Sequence, residues 1–281
     1  MPELPEVETI VRGLHVEIAG RILRDVWVRR RDLRLPIPRE FPERVIGRRI
    51  LAVQRRAKYL LFRLDDPLRA DGTLILAHLG MTGRFAVQTP PFPELGAHDH
   101  VVFLTDDGRR TTFSDPRRFG LLSLGYSDRL AEHPLLKDLG PEPLDASWTG
   151  EQLLGKVAAR RSPLKALLLN QSVVAGLGNI YVSEALFRAR LSPLRLGCSL
   201  KLVEARRLVR AVRDVLQDAI AAGGSTLRDY VQADGSIGGF QTHFSVYEQQ
   251  DQSCSHRGCP GVIRRIVQAG RSTYFCPACQ R

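Results

Sequence analysis

The sequence holds no run of about eighteen apolar residues, so it offers no helix that could cross a bilayer. Its acidic start lacks the basic and apolar stretches of a secretory signal. Together these absences set the expectation of a reducing cytoplasm, where disulfides are rare and clustered cysteines usually hold metal. Lysine is scarce: of 41 basic residues only five are lysine, at 58, 137, 156, 165 and 201, and the rest are arginine. The last 28 residues contain no Asp or Glu, yet carry five Arg and four of the five Cys. Internal repeats and low-complexity tracts are absent, which excludes solenoid and fibrous classes.

What is present fits a two-domain globular protein of 281 residues with 43% hydrophobic and 25% charged residues. A net charge of +11 and a pI near 10 imply a polyanionic partner, nucleic acid ahead of an acidic membrane surface. Arginine suits bidentate contacts to phosphate and guanine, although the base composition of a genome produces the same bias.

Residues 5–19 read as an amphipathic helix, with Val7, Ile10, Val11, Leu14 and Ile18 at helical spacing. From about 21 to 125, short β-branched or aromatic runs alternate with turn signals, as at 50–53, 59–62, 74–76 and 101–104. That pattern predicts an antiparallel sandwich. A proline-rich stretch from 133 to 147 reads as a linker. Helices are expected over 151–159, 164–170, 180–190 and 201–222, and a glycine-rich loop over 230–245.

Several motifs carry chemistry. The chain begins Met1-Pro2-Glu3-Leu4-Pro5-Glu6-Val7-Glu8. With Met1 removed, Pro2 presents a secondary amine beside a carboxylate, and such an amine can form an iminium ion at a sugar C1′. On its own the proline would signify only methionine removal and a fixed φ. Cys254-x4-Cys259 and Cys276-x2-Cys279 bracket two short strands in the manner of a zinc ribbon, four thiolates forming a closed structural shell. Free thiols or disulfides are the alternatives, and His256 could replace a sulfur. Cys198 stands alone and reads as a small buried residue. The turn Gly176-Leu177-Gly178-Asn179 opens a helix and could bind phosphate. Met81 and Phe119 lie in glycine-flanked turns, Phe119 beside Arg117 and Arg118. Exposed, they would suit a wedge that unstacks bases, but on residue type alone they belong in a core. Lys58 is the one lysine in the first 136 residues, which fits either a proton-donating ammonium or a solvated charge run.

Taken together, these segments resemble the formamidopyrimidine-DNA glycosylase family, bacterial glycosylases of oxidised purines that also cleave abasic sites. The resemblance rests on residues 2–8, 55–61, 78–83, 98–100, 115–120, 176–187, 234–241 and the cysteine tail with Gly270-Arg271-Ser272-Thr273. Leu4 favours this branch over the endonuclease VIII group, which starts Pro-Glu-Gly-Pro. The resemblance implies an α+β fold of two domains: an N-terminal helix plus antiparallel β-sandwich at 1–132, and a linker at 133–148. A helix–two-turn–helix domain with a lesion loop would follow at 149–253, and a C-terminal β-hairpin zinc finger at 254–281.

It further implies Pro2 as Schiff-base nucleophile and Glu3 as acid/base, with Lys58 as proton donor for β-elimination and Arg271 gripping phosphates. Glu6 and Glu184 would support the active site. Met81, Arg117 and Phe119 would fill the void left by the flipped base, Arg117 probing the orphaned cytosine. His78, His98, Arg160, Lys165, Asn179 and Tyr247 fall at DNA-contact positions. One structural zinc on Cys254, Cys259, Cys276 and Cys279 is expected, with no redox or organic cofactor. The expected partner is double-stranded DNA containing oxidised bases, met by a monomer in the bacterial cytosol or nucleoid.

Two departures stand out: the first cysteine pair is x4 where x2 is usual, and residues 248–253 lack the usual basic, glycine-containing stretch. Two rival readings are a non-catalytic zinc-ribbon protein that binds DNA or RNA, and a glycosylase of oxidised pyrimidines.

Overall fold

The computed structural model describes residues 1–66, 72–225 and 238–281. They divide into two compact units, Met1–Lys137 with Gly223–Gly238, and Asp138–Ala222 with Gly239–Arg281. Residues 230–237 of the expected glycine-rich loop lie outside the described residues, and Phe240–His243 in its remainder form a 3-10 turn.

In the first unit, α1 (Leu4–Ile18) begins at Glu3, whose N–H donates to Glu6 Oε2 at 2.8 Å as half of a capping box. Pro5 sits in the first turn, where its missing N–H costs nothing. The helix buries Val7, Ile10, Val11, Leu14 and Ile18 against two antiparallel sheets. The first sheet runs β1 (Leu23–Val28), β6 (Asp99–Thr105), β7 (Arg110–Ser114), β5 (Arg84–Gln88). The second runs β2 (Ile50–Arg56), β3 (Tyr59–Leu64), β4 (Thr73–His78), β8 (Leu121–Tyr126). A short helix, α2 (Phe41–Val45), packs against β1.

Inner-face residues of both sheets, among them Val26, Phe103 and Phe113 on one and Val53, Phe62 and Ile75 on the other, make a single core with α1. Phe62 and Phe85 meet across it with ring centroids 5.4 Å apart. The second sheet positions the functional loops. Between β2 and β3, Ala57 takes a φ of 54°, and Lys58 follows it in the turn. After β4 the chain enters residues 79–83, and before β8 it passes through 115–120.

The second unit holds α3 (Gly150–Val157), α4 (Leu164–Leu169), α5 (Asn179–Arg188) and α6 (Leu202–Ala221). Thr149 caps α3 by accepting from Gln152 N–H. α6 buries Leu208, Val209, Val212, Val215 and Leu216, the stripe its periodicity predicts, and ends ahead of Gly223 and Gly224, both with positive φ. The chain closes with the hairpin β9 (Arg264–Gln268) and β10 (Arg271–Phe275). Its turn residues Ala269 and Gly270 both have positive φ, as a type I′ turn requires, and Arg271 stands exposed at the tip.

Among the described residues no helix is long and apolar enough to cross a membrane. Cys198 is exposed, contrary to the buried placement expected of an isolated cysteine. It sits in a short 3-10 turn that aims its side chain outward.

Candidate functional site

In the first unit the N-terminal motif is fixed by carboxylates. Pro2 is half-buried, and Glu3 and Glu6 are buried at 3% and 2% exposure. Besides accepting from Glu3 N–H, Glu6 accepts from Ser225 through Oε1, from the backbone N–H at 2.8 Å and the hydroxyl at 2.9 Å. One side chain thereby ties the residue after Pro2 to the segment 223–225.

Lys58 is buried rather than solvated, at 7% exposure. Its turn is braced by Arg55, whose guanidinium donates to Glu8 at 2.8 Å and to the Ala57 carbonyl at 3.1 Å. Burial alone would raise the Glu8 carboxyl, but hydrogen bonds and charge from Arg55 and Arg12 bring it below its ordinary value. Close by, His78 accepts the Gly80 N–H through Nδ1 at 2.9 Å and packs on the Tyr59 ring. Burial, then the charges of Lys58 and Arg34, depress its pKa to about 4, so the ring is neutral at pH 7 with its proton on Nε2.

Met81 and Phe119 are not core residues: they are 38% and 45% exposed. The two loops that carry them are locked to each other. A Cβ on Gly80 would overlap the Phe119 carbonyl group and the Gly120 nitrogen, so only glycine admits this approach, and at a φ of 62°. Asp115, wholly buried, accepts the Thr82 hydroxyl through Oδ1 at 2.5 Å and the Gly120 N–H through Oδ2 at 2.7 Å. Its backbone is anchored as well, its carbonyl by His100 Nε2 and its N–H by the His98 carbonyl. Arg117 and Phe119 therefore stand on a rigid base, the guanidinium 4.8 Å over the ring centroid. His98 is exposed beside them.

In the second unit the expected DNA-contact residues separate into exposed and buried ones. Arg160 and Arg271 are exposed. Lys165 is only 1% exposed, and its ammonium donates to the Ser272 carbonyl at 2.8 Å and to the Thr273 hydroxyl at 2.6 Å. Asn179, at the start of α5, donates to the same Ser272 carbonyl at 2.9 Å. Both side chains thus hold β10 directly behind the tip that presents Arg271. Glu184 is buried, and its carboxylate collects the backbone N–H groups of Ser245, Val246 and Tyr247 at 2.8–3.2 Å. Burial raises its pKa despite those three donors. Its support falls on the Tyr247 segment, whose ring packs between Phe244 and Tyr274.

The four tail cysteines converge, their sulfurs all within 4.8 Å of one another. Two edges of the cluster measure 3.7 Å (Cys254–Cys279) and 3.6 Å (Cys259–Cys276). A zinc tetrahedron with bonds of about 2.3 Å has sulfur–sulfur edges of about 3.8 Å, so the donor set fits the ion. His256 lies outside this group, so the ligands are four sulfurs.

Comparison with known proteins agrees. Three family models match: the formamidopyrimidine-DNA glycosylase N-terminal domain over residues 1–122, its H2TH domain over 139–231, and a zinc finger found in FPG and IleRS over 257–281. A formamidopyrimidine-DNA glycosylase of Rhodospirillum centenum is 51% identical over the full length of both chains. The chain belongs to the formamidopyrimidine-DNA glycosylase family. Among solved structures, the MutM (Fpg) protein of Thermus thermophilus is 45% identical, with a TM-score of 0.85 over 99% of this chain and 98% of that one. Fpg of Lactococcus lactis is 32% identical over all of both chains. It has been solved as a point mutant with DNA containing Fapy-dG (TM-score 0.89), and as the wild type with DNA containing an oxidised pyrimidine (0.88).

The family's zinc-finger model begins at residue 257 and so leaves Cys254 outside, as the longer first knuckle would cause. The structure nonetheless brings Cys254 to the other three sulfurs. Sequence reasoning missed Asp115 as the joint between the two loops, Thr82 as its partner, and Ser225 as the partner of Glu6. Asp115 did carry a local signal, since an Asp-Pro step favours a turn.

Proposed function

We propose that this chain excises oxidised purines, 8-oxoguanine and formamidopyrimidines, from duplex DNA and then cleaves the abasic site through β- and δ-elimination. The observation that carries the reading is the N-terminal pair: a half-exposed Pro2 directly before a buried Glu3 whose position is set by Glu6. Arginines of both units meet the phosphates, giving salt-sensitive binding, and the rigid loops of Met81, Arg117 and Phe119 occupy the gap left by the flipped base. With Met1 removed, the Pro2 nitrogen bonds to C1′ as the bond to the base breaks, while Glu3 protonates the ring oxygen and opens the sugar. A secondary amine yields an iminium with no N–H to lose, so positive charge stays next to C2′ and acidifies it. Loss of a C2′ proton expels the 3′ phosphate, with Lys58 supplying a proton, and a second elimination assisted by Arg271 expels the 5′ phosphate. Water hydrolyses the remaining iminium and frees Pro2.

Zinc held by the four cysteines would fix the hairpin that presents Arg271. Its closed sulfur shell leaves that role structural. The setting consistent with this activity is the bacterial cytosol and nucleoid, and the chain would act as a monomer.

Borohydride trapping on a duplex with one 8-oxoguanine opposite cytosine tests the reading, alongside an undamaged duplex. A covalent protein–DNA band confined to the lesion, mapped to Pro2 and lost in Pro2→Gly, is the expected result. No band from protein shown by mass spectrometry to lack Met1 would overturn it. The Lactococcus lactis complex with an oxidised pyrimidine gives a specific reason to include a thymine glycol duplex as the competing substrate.

A further inference from the structure

The first zinc knuckle is two residues longer than its family's usual form, and the extra length carries a side chain to the metal sulfurs. Within Cys254-Ser255-His256-Arg257-Gly258-Cys259, the His256 ring stacks on Phe187 of α5, with centroids 4.0 Å apart and planes 9° from parallel. Held there, its Nδ1 lies 3.2 Å from Cys279 Sγ. A zinc-bound cysteine is a thiolate with no proton, so it can only accept, and Nδ1 must carry the hydrogen. The contact matters because Cys254 and Cys276 are buried whereas Cys259 and Cys279 are half-exposed. Those two sulfurs line an open cleft of about 280 Å³ together with His256, Arg190, Arg257 and Arg281. Three guanidinium groups draw anionic reagents toward the two sulfurs that solvent can reach. Cys259 has a backbone donor, the Gly261 N–H at 3.4 Å. Cys279 has the His256 ring.

We infer that His256 is a positioning residue of the zinc site, donating an N–H···S hydrogen bond that withdraws charge from Cys279 and shields it from thiol-reactive compounds. Partners of this kind, one step out from the ligands, commonly change metal retention by about tenfold or more.

Cys259 serves as an internal reference for the test. The zinc-loaded protein is treated with limiting iodoacetamide: a cysteine sulfur bonds to the reagent's methylene carbon as the carbon–iodine bond breaks and iodide leaves. Mass spectrometry of singly alkylated molecules then gives the ratio of Cys279 to Cys259 modification. His256→Phe keeps the stacked ring but has no N–H, and its ratio should rise about tenfold, with zinc released faster to a colorimetric chelator. His256→Asn places an amide N–H near the Nδ1 position and should restore the wild-type ratio. An unchanged ratio in His256→Phe, a parallel rise at all four cysteines, or no rescue by Asn would each overturn the assignment. The Co(II)-substituted protein decides the remaining alternative. A four-sulfur spectrum in wild type and His256→Phe alike supports the hydrogen bond, and a three-sulfur, one-nitrogen spectrum lost in His256→Phe would make His256 a ligand and sink it.

Discussion

Replacing Asp115 with Asn keeps the shape of a wholly buried side chain and exchanges one acceptor oxygen for an NH2. The native carboxylate faces three donors: the Thr82 hydroxyl (2.5 Å) and Arg117 N–H (3.3 Å) at Oδ1, and the Gly120 N–H (2.7 Å) at Oδ2. If the Asn oxygen keeps the Gly120 bond, its NH2 opposes the Arg117 N–H, while the Thr82 hydroxyl can turn and accept. The Arg117 N–H then keeps only its second acceptor, Thr82 Oγ1 at 3.3 Å, and the two facing donors with the weaker charge assistance of the bonds that remain should cost about 2 kcal/mol. Asp115→Ala leaves the Gly120 N–H and the Thr82 hydroxyl without this acceptor, while the Arg117 N–H keeps Thr82 Oγ1, and should cost about 3 kcal/mol by the same reasoning.

Thr82→Val removes the hydroxyl alone, and the two sites should couple by about 1 kcal/mol in a double-mutant cycle. Hydrogen exchange read on peptides of the first unit gives these values without averaging over the second unit. The same joint sets where Arg117 and Phe119 stand, so under the proposed function, in which Arg117 probes the base opposite the lesion, discrimination of cytosine from adenine at that position should fall about fivefold, equivalent to about 1 kcal/mol of lost positioning. Cleavage of a preformed abasic site should keep its wild-type rate. An Asp115→Asn protein as stable as wild type, or an additive cycle with Thr82→Val, would refute the idea that this carboxylate joins the loops.

Three further outcomes are expected. His78 is neutral in the fold with a pKa near 4, below the usual imidazole value, so protons bind the unfolded chain preferentially. Its contribution is therefore complete above pH 6.5 and fades as pH falls toward 4, reaching about 3 kcal/mol in full; NMR titration of its ring and unfolding at pH 7 and pH 5 would check this. Glu184→Gln can still offer an oxygen to the N–H groups of Ser245, Val246 and Tyr247 and should cost about 1 kcal/mol. Glu184→Ala orphans all three and should cost about 3 kcal/mol, whereas a chemical role at the reacting sugar would make Gln as inactive as Ala. Chelation of zinc should unfold the 254–281 hairpin and expose it to protease, releasing Arg271 and lowering DNA affinity while α1 and its sandwich stay protected in hydrogen exchange.

The parts of this molecule that were legible in the sequence are those with a local signal. The periodicity of α1 and α6, the short β-branched or aromatic runs of β2, β3 and β6, and the paired cysteines each place a residue by its near neighbours. What could not be read depends on single bonds across long separations: Asp115 to Thr82 over 33 residues, Glu184 to Tyr247 over 63, Lys165 to Thr273 over 108. No spacing rule marks a carboxylate or ammonium that will be satisfied by a distant turn. The same bonds account for the misplacement of Met81 and Phe119. Residue type assigned them to a core, and in a freely mobile loop that would be their lower-energy location, since each buried apolar side chain gains about 2 kcal/mol. They stay in water because Asp115, the Gly80 approach and the His78 turn fix the loops on either side. Two large apolar side chains kept exposed by a wholly buried carboxylate and a glycine that tolerates no Cβ fit the void-filling role proposed for them. The gap left by an everted base is apolar, flat and of that size.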